Sequence, residues 1–279
     1  MIVVETLHEL RSARSRLPLP LGLVPTMGFL HEGHLSLVRR AVRECRSVAV
    51  SIFVNPSQFG LNEDLAGYPR DLPRDLAMLE AEGVDLVWTP STQAMYPPGY
   101  QTWVTVEGVS SGLEGERRPG HFRGVATVVT KLFHACEPQK AYFGQKDAQQ
   151  AAVIRRLAAD LDFPIEITVC PTVREPDGLA MSSRNIYLGP EERRAATVLF
   201  RALRAAERAY ADGERAAERL RQAMLDVLAQ EPLAKVEYVS AADPDSLEEI
   251  NGPLQRALLS MAVFIGRARL IDNVVISEP

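Results

Sequence analysis

The stretch that decides the fold is residues 24–34, which read VPTMGFLHEGH. An apolar run, residues 21–24, enters this stretch, and residues 35–45 follow it with apolar side chains spaced three to four positions apart. That spacing marks one face of a helix, so the stretch predicts a strand, a tight turn containing glycine, and the start of a helix. In an open α/β sheet, ligands bind at the carboxyl ends of the strands, where this turn would lie.

The pair His31 and His34 at the predicted helix start admits three interpretations. A zinc site of the protease type needs the spacing His-Glu-x-x-His, which the chain does not have here. Both histidines could simply cap the helix. Alternatively, their N–H groups add to the free backbone donors of the first helical turn and bind an anion. We take the phosphate-binding interpretation forward, because two histidines beside Gly28 and Gly33 are more than a cap needs.

The composition is that of a soluble globular protein. The 279 residues are 46% hydrophobic and 24% charged, which allows one large or two medium domains. The formal net charge of −5 argues against a nucleic-acid partner. No apolar run reaches membrane-spanning length, and acidic and basic residues before position 17 do not fit a signal peptide. Three widely separated cysteines indicate reduced thiols, so we expect a cytoplasmic protein without a membrane partner.

The first 170 residues alternate between strand-like and helix-like patterns. The predicted helices are 35–45, 72–82, 125–136 and 148–161. Alternating strands and helices predict βαβ units, and therefore an α/β domain with a doubly wound parallel sheet. The predicted strands are 21–26, 48–54, 84–89, 103–106, 141–144 and 165–169.

The pattern changes after residue 185. One long helix is predicted from 190 to about 211 and a second over 214–229, both with charged, solvated faces. Strand-like runs at 236–239, 257–266 and 269–276 follow without intervening helices. We therefore expect two domains, residues 1–173 and a smaller C-terminal α+β domain, residues 174–279.

Two further stretches carry polar side chains that suit a ligand. Asn55 and Gln58 follow the second predicted strand; Asn55 precedes a proline and could serve the turn alone, whereas Gln58 has no such role. Arg118, His121 and Arg123 lie in a loop broken by glycine and proline. That loop could clamp a carboxylate or phosphate, or simply be solvated.

Two glycine-containing turns carry cations. Lys146 lies at a predicted helix start, where the helix dipole disfavours a cation, which suggests an anion between them. Asp147 beside it is a candidate N-cap, and Gln150 lies one turn further on the same side. Residues 177–185, DGLAMSSRN, offer two hydroxyl groups and Arg184 to a phosphate, or form an ordinary interdomain linker.

Taken in order, these stretches resemble a known family of ligases. Residues 31–34 resemble the His-x-Gly-His signature of the nucleotidyltransferase superfamily, and residues 177–185 resemble its Lys-Met-Ser-Lys-Ser loop, with Arg in place of the second Lys. The ordered segments PTMGFLHEGH, FVNPSQF, RPGHFRG, FGQKD and DGLAMSSRN, which span residues 25–185, resemble the pantothenate synthetase (pantoate–β-alanine ligase) family.

The resemblance implies a Rossmann-like domain with a small C-terminal lid domain, a homodimer, and a reaction that uses pantoate, β-alanine, ATP and Mg²⁺. It implies catalytic roles for His34, His31, Lys146 and Arg184. It places substrate at Gln58 and Gln150, to which the loop patterns add Asn55, Arg118 and His121. The implied ATP-binding residues are Met27, Gly28, Phe29, Leu30, His31, Glu32, Gly33, His34, Gly144, Gln145, Lys146, Asp147, Val173, Met181, Ser182, Ser183 and Arg184.

The chain departs from the family's pattern at three points. Ser57 stands where the family often has Met, Gln145 stands where it often has Glu, and an acidic pair is only half present, as Arg74-Asp75. The metal ligands therefore stay unassigned. Two other functions remain open: an adenylyltransferase that leaves AMP on its product, and a nucleotide-binding module without turnover.

Overall fold

The computed structural model describes residues 1–60 and 65–278, and it divides into two compact units. Unit 1 comprises Met1–Gly144 and Val153–Pro171; unit 2 comprises Gln145–Ala152 and Thr172–Pro279. The domain ranges expected from the sequence, 1–173 and 174–279, stay a prediction.

Unit 1 is built on six strands that pair only in parallel, in the order β1-β4-β3-β2-β5-β6. The strands are β1 (Ile2–Val4), β2 (Leu21–Thr26), β3 (Ser47–Ile52), β4 (Leu86–Trp88), β5 (Lys140–Gly144) and β6 (Glu166–Cys170). The helices are α1 (Leu7–Arg14), α2 (Glu32–Glu44), α3 (Leu72–Ala81), α4 (Thr92–Met95), α5 (Glu114–Arg117), α6 (His121–Cys136) and α7 (Ala148–Asp160), which begins in unit 2.

Both faces of this sheet are covered. Leu21 and Leu23 of β2 belong to one core cluster, which includes residues of α1 and α6, whereas Val24 belongs to a second cluster with residues of α2 and α3. Burial on both faces explains why β2 reads as an unbroken apolar run. The predicted α/β fold with a doubly wound parallel sheet is confirmed.

The strand order changes direction at the centre of the sheet. From β2 the chain continues to β3 and β4 on one side, whereas β5 and β6 lie on the other. The strand order therefore reverses between β2 and β5, and ligands in such sheets bind at the carboxyl ends of the strands beside that reversal.

Unit 2 is a small α+β domain, as predicted. Its strands β7 (Ala234–Ala242), β8 (Arg256–Ile265) and β9 (Ala268–Ser277) form an antiparallel sheet in that order. Its helices are α8 (Pro190–Ala195), α9 (Val198–Ala211) and α10 (Ala217–Leu228). Leu203 of α9, Met224 of α10 and Leu259 of β8 share one buried core.

Two predicted elements are wrong. Residues 103–106 are not a strand; the N–H of Val104 donates to Thr127 Oγ1 on α6, at 3.0 Å, and none of the described strands pairs with this segment. The single helix predicted from 190 to 211 is two helices, because hydrogen bonds from Thr197 to Arg194 and from Leu199 to Ala196 tighten the backbone between α8 and α9. In the described ranges, no helix combines the length and the apolarity needed to cross a bilayer.

Four elements of unit 1 are absent from the prediction: β1, α1 and the four-residue helices α4 and α5. Strand β1 is only three residues long, too short for a periodic pattern. Helix α1, in contrast, has a readable signal: Thr6 accepts from the N–H of Glu9, and the Glu9 side chain accepts from the N–H of Thr6, which is a capping box.

Candidate active site

The turn after β2 is a strained, glycine-dependent backbone. Gly28 has φ +82° and Phe29 has φ +51°, both in the left-handed region. A Cβ on Gly28 would lie 3.1 Å from Asp75 Oδ2 and 3.1 Å from Ile52 Cγ2, so a side chain there would meet both strain and crowding. The turn is therefore built around a glycine at this position.

Asp75 of α3 holds this turn in place. Its Oδ2 accepts the N–H of Phe29 at 2.7 Å, and its Oδ1 accepts the N–H of Leu30 at 2.8 Å. The side chain is only 1% exposed, and burial raises its pKa, although the two backbone donors act in the opposite direction. Because both oxygens accept from the backbone, this carboxylate supports the turn.

His31 and His34 form a reciprocal cap at the start of α2. His31 Nδ1 accepts the N–H of Gly33 at 3.2 Å, and His34 Nδ1 accepts the N–H of His31 at 3.3 Å. The ring centroids are 4.1 Å apart. A backbone N–H can only donate, so Nδ1 is the acceptor in both rings and the proton of each neutral imidazole is on Nε2. The two histidines therefore do cap α2; that they also bind an anion through Nε2–H stays a prediction.

Other members of the predicted nucleotide turn have structural contacts of their own. Leu30 is buried in the core cluster that includes α2 and α3. Glu32 forms an ion pair with Arg39, which also pairs with Glu82 at 2.6 Å. Arg74 lies over the Phe29 ring, at 5.4 Å from its centroid. The assignment of these turn residues to ATP stays a prediction.

Asn55 organises the polar group that follows β3. It is 1% exposed; its Nδ2 donates to Gln58 Oε1 at 3.0 Å, and its Oδ1 accepts from Tyr96 OH at 2.8 Å and from Ser57 Oγ at 2.8 Å. Gln58 Nε2 in turn lies 3.1 Å from Met27 Sδ. The hydroxyl of Ser57, where the family often has Met, is thus part of the network that orients Gln58.

His121 contacts the backbone of Gln58, and Arg118 contacts His121. His121 Nδ1 is 2.8 Å from the carbonyl oxygen of Gln58, which can only accept, and His121 Nε2 is 3.1 Å from Arg118 Nη1, which can only donate. The proton of this imidazole is therefore on Nδ1, opposite to His31 and His34. Gly124 permits the approach, since a Cβ there would lie 2.3 Å from the carbonyl oxygen of Ser57.

In unit 2, the turn that carries Lys146 is held by Asn273 of β9. Asn273 Nδ2 donates to the carbonyl oxygens of Gln145, at 3.0 Å, and Lys146, at 2.9 Å, while its Oδ1 accepts from Gln145 Nε2 at 3.0 Å. Lys146 Nζ is 3.8 Å from Asp147 Oδ1. Gln150 is half-buried in the first turn of α7.

The second predicted phosphate loop of unit 2 follows a short hairpin. Val173 accepts from the N–H of Met181 at 3.0 Å, and Arg174 forms an antiparallel bridge with Ala180. Ser182 then caps the next turn, since its Oγ accepts the N–H of Arg184 at 3.2 Å. Ser183 is buried, whereas Met181, Ser182 and Arg184 are half-buried.

The predicted residues are thus collected in two groups, each within one unit. Unit 1 holds the turn of His31 and His34 together with Asn55, Gln58 and His121; unit 2 holds the Lys146 turn and the Ser182–Arg184 loop.

Sequence reasoning missed the supporting roles of five residues, of which it had noted only Asp75, as half of an acidic pair: Asp75, Tyr96, Arg174, Asp272 and Asn273. Three of them had a signal: Asp75 lies on the same helix face as Leu79, and the pair Asp272-Asn273 interrupts an apolar strand.

The described residues offer little to hold a metal by themselves. Nowhere in ranges 1–60 and 65–278 do three His, Cys, Asp or Glu side chains come together as a metal site. Mg²⁺ keeps several waters and binds readily to substrate phosphates with few protein ligands. An ion of that kind does not require a protein cage.

Comparison with known proteins identifies the family. The family model described as pantoate-beta-alanine ligase matches residues 2–275. The pantothenate synthetase of Roseiflexus sp. (strain RS-1) is 63% identical over 276 residues, which cover 99% of each chain.

Solved structures agree with this match. The crystal structure of pantothenate synthetase from Thermus thermophilus superposes with a TM-score of 0.95 at 47% identity, covering 100% of both chains. The pantoate-beta-alanine ligase from Francisella tularensis, complexed with β,γ ATP and β-alanine, has a TM-score of 0.81 at 36% identity, covering 99% of this chain and 97% of that one. With a whole-chain family match and such relatives, this chain belongs to the pantoate–β-alanine ligase family.

Proposed function

We propose that this protein joins pantoate to β-alanine at the expense of ATP, giving pantothenate, AMP and pyrophosphate. Its membership of the pantoate–β-alanine ligase family over residues 2–275 carries the proposal. The complex of the Francisella relative with β,γ ATP and β-alanine supports the same two ligands here.

The reaction runs in two steps. The carboxylate of pantoate attacks the α-phosphorus of ATP, and the bond to the leaving pyrophosphate breaks, which leaves pantoyl adenylate. The amine of β-alanine then attacks the acyl carbon, loses a proton, and expels AMP. The first step brings two anions together, so the site must supply donors and positive charge that are in place beforehand.

The residues divide these tasks by charge. His34 and His31 offer Nε2–H donors, and His34 donates a hydrogen bond to the reacting phosphate group; Lys146 and Arg184 supply positive charge. The lysine turn begins right after β5, and β5 is the parallel neighbour of β2, whose carboxyl end leads into the histidine turn. The family resemblance assigns both turns to ATP.

Neutral groups orient the acid substrate. Gln58, held by Asn55, binds pantoate together with Gln150, and neither amide competes with the carboxylate for the cations. His121 fixes the backbone of Gln58 by a hydrogen bond to its carbonyl oxygen, and Arg118 acts through His121. Mg²⁺ belongs to the substrate as MgATP, where it neutralises phosphate charge.

The decisive experiment measures pyrophosphate release from ATP with pantoate and with a panel of other hydroxy acids. We expect release with pantoate alone to stop near one equivalent per enzyme, because the adenylate stays bound, and to become continuous with AMP release once β-alanine is added. A stable adenylylated product with no amine dependence would indicate an adenylyltransferase instead. ATP binding without pyrophosphate release under any acid would indicate a binding module.

We also propose a cytoplasmic homodimer, as the family resemblance implies. Light scattering coupled to size-exclusion chromatography tests the assembly: a mass near twice 30.8 kDa supports it, and a mass near 30.8 kDa at working concentrations contradicts it.

A further inference from the structure

Strand β9 contains two adjacent polar residues in an otherwise apolar run. Asp272 is 1% exposed and Asn273 is 5% exposed. Polar side chains that are buried in this way are costly unless their hydrogen-bonding groups are satisfied. Each of the two residues is satisfied by a different loop of unit 2, and both loops carry predicted phosphate-binding residues.

Asn273 uses its whole amide on the lysine turn. Both carbonyl oxygens that its Nδ2 reaches, those of Gln145 and Lys146, belong to the backbone from which the Lys146 side chain projects. Its Oδ1 accepts from the Gln145 side chain, at 3.0 Å. Gln145 therefore has a partner that matches its amide, which accounts physically for an amide at a position where the family often has Glu.

Asp272 performs the same task for the second loop, through Arg174. Its two oxygens accept from Arg174 Nη1, at 2.6 Å, and Nη2, at 2.9 Å. Arg174 Nη1 also donates to the carbonyl oxygen of Gly178 at 3.1 Å, which ties the tip of the hairpin to its base. Two residues after this hairpin closes at Ala180, the chain reaches Ser182.

We propose that Asp272 and Asn273 are positioning residues that fix the Lys146 turn and the Ser182–Arg184 loop on one strand, so that both loops present their donors to the same nucleotide. Neither residue touches the ligand. The inference rests on the proposed function, since it takes Lys146 and Arg184 to bind ATP. Consecutive strand residues project to opposite faces, so one dipeptide can hold two separate loops.

The first experiment replaces Asn273 by Asp, which keeps the shape but removes both amide donors and places a carboxylate oxygen against two carbonyl oxygens. We expect KM for ATP to rise and kcat/KM for ATP to fall by on the order of 10–100-fold, because the binding groups are displaced, with little change in KM for pantoate. The control is Asn251→Asp, which adds the same charge at an exposed position of the same unit. A residue that only held the unit together would lower the melting temperature and the active fraction, and leave KM for ATP unchanged.

A double-mutant cycle then tests through which loop each residue acts. Asn273→Asp should cost little further activity in a Lys146→Ala background, yet its full effect in an Arg184→Ala background. Asp272→Asn should show the reverse. Equal, additive losses in both backgrounds would overturn the positioning role.

The same set separates the inference from the function on which it rests. If Lys146→Ala and Arg184→Ala both retain normal pyrophosphate release, the proposed ATP site fails. If they lose activity while the β9 variants keep normal KM for ATP, only the positioning role fails. Should Asn273→Asp not fold, Gln145→Ala replaces it, because that change removes one of the three bonds and creates no charge; an unchanged KM for ATP in that variant would also contradict the proposal.

Discussion

The turn after β2 and the turn after β5 look alike in sequence. The residues that hold them in place, however, lie at very different distances along the chain. Asp75, which fixes the first turn, is 46 residues from Phe29, and the histidine caps span two or three residues. Asn273, which fixes the second turn, is 128 residues from Gln145. Both turns are completed inside their own units, but the first is held by residues two to 46 positions away, whereas the second depends on the last strand, 128 positions away. The residues that form a sequence motif and the residues that hold it in place can therefore come from distant parts of the chain.

The largest expected effect tests whether both turns serve one reaction. We expect His34→Ala and Lys146→Ala each to lower pyrophosphate release by about 10²–10³-fold, because each removes a donor placed where charge develops. Steady-state assays with folding checked by circular dichroism measure it, with the exposed residues His8 and Lys235 changed to Ala as controls. A loss in only one of the two variants would break the comparison, since only that turn would belong to the site.

The next effect concerns the hairpin that precedes Ser182. Gly178 has φ +94°, and a Cβ there would lie 2.0 Å from Cδ1 of Phe200. We expect Gly178→Ala to lower the free energy of unfolding by about 2–5 kcal/mol, as strain of about 1–2 kcal/mol adds to overpacking of about 1–3 kcal/mol. Gly213→Ala is the matched control, because Gly213 has φ +101° and open space around it. Equal losses in denaturant titrations would mean that the Phe200 contact contributes nothing.

A smaller effect tests the support of the first turn. Asp75→Asn leaves one of the two backbone N–H groups, of Phe29 or Leu30, without an acceptor. We expect the free energy of unfolding to fall by about 1–3 kcal/mol, the cost of a buried donor left unsatisfied. Glu80→Gln, at an exposed position of α3, removes a charge without removing a buried acceptor. If both variants unfold at the same urea concentration, local support of this turn is weaker than the geometry implies.

The smallest effect concerns Ser57, whose hydroxyl lies 2.8 Å from Asn55 Oδ1 and 3.0 Å from Tyr96 OH. Ser57→Ala should cost about 0.5–1.5 kcal/mol of stability, the net worth of an ordinary hydrogen bond. Tyr96→Phe removes the neighbouring hydroxyl and should couple to it in a double-mutant cycle. Strict additivity of the two changes would show that the hydroxyl groups do not act together on Gln58.

The same contrast explains what the sequence could predict. Strands buried on both faces, such as β2, and helices with a clear apolar face, such as α2, have local patterns, so the α/β class and the small α+β domain followed from them. Residues 103–106 have a strand-like composition, but the N–H of Val104 bonds to a threonine of α6. The sequence near Val104 does not show that its N–H bonds to a side chain of α6 instead of to a neighbouring strand.

The candidate site divides in the same way. Residues that present donors, such as His34 and Lys146, lie in glycine-containing turns and are visible as motifs. Residues that hold those turns, such as Asp75 and Asn273, are recognisable only as polar residues in apolar elements. Which backbone atoms they reach depends on tertiary structure, because the partners are 46 and 128 residues away.

The helix cap formed by His31 and His34 has a consequence for how nucleotide affinity responds to ionic strength. In this cap each ring accepts a backbone N–H at Nδ1, a contact that a doubly protonated imidazole, which has no lone pair, does not make. These two groups then contribute dipoles, which dissolved salt screens weakly, whereas Lys146 and Arg184 contribute full charges, which it screens strongly. We therefore expect added potassium chloride to weaken nucleotide binding mainly through the lysine and the arginine, and a Lys146→Ala variant to respond less steeply to salt than a His34→Ala variant.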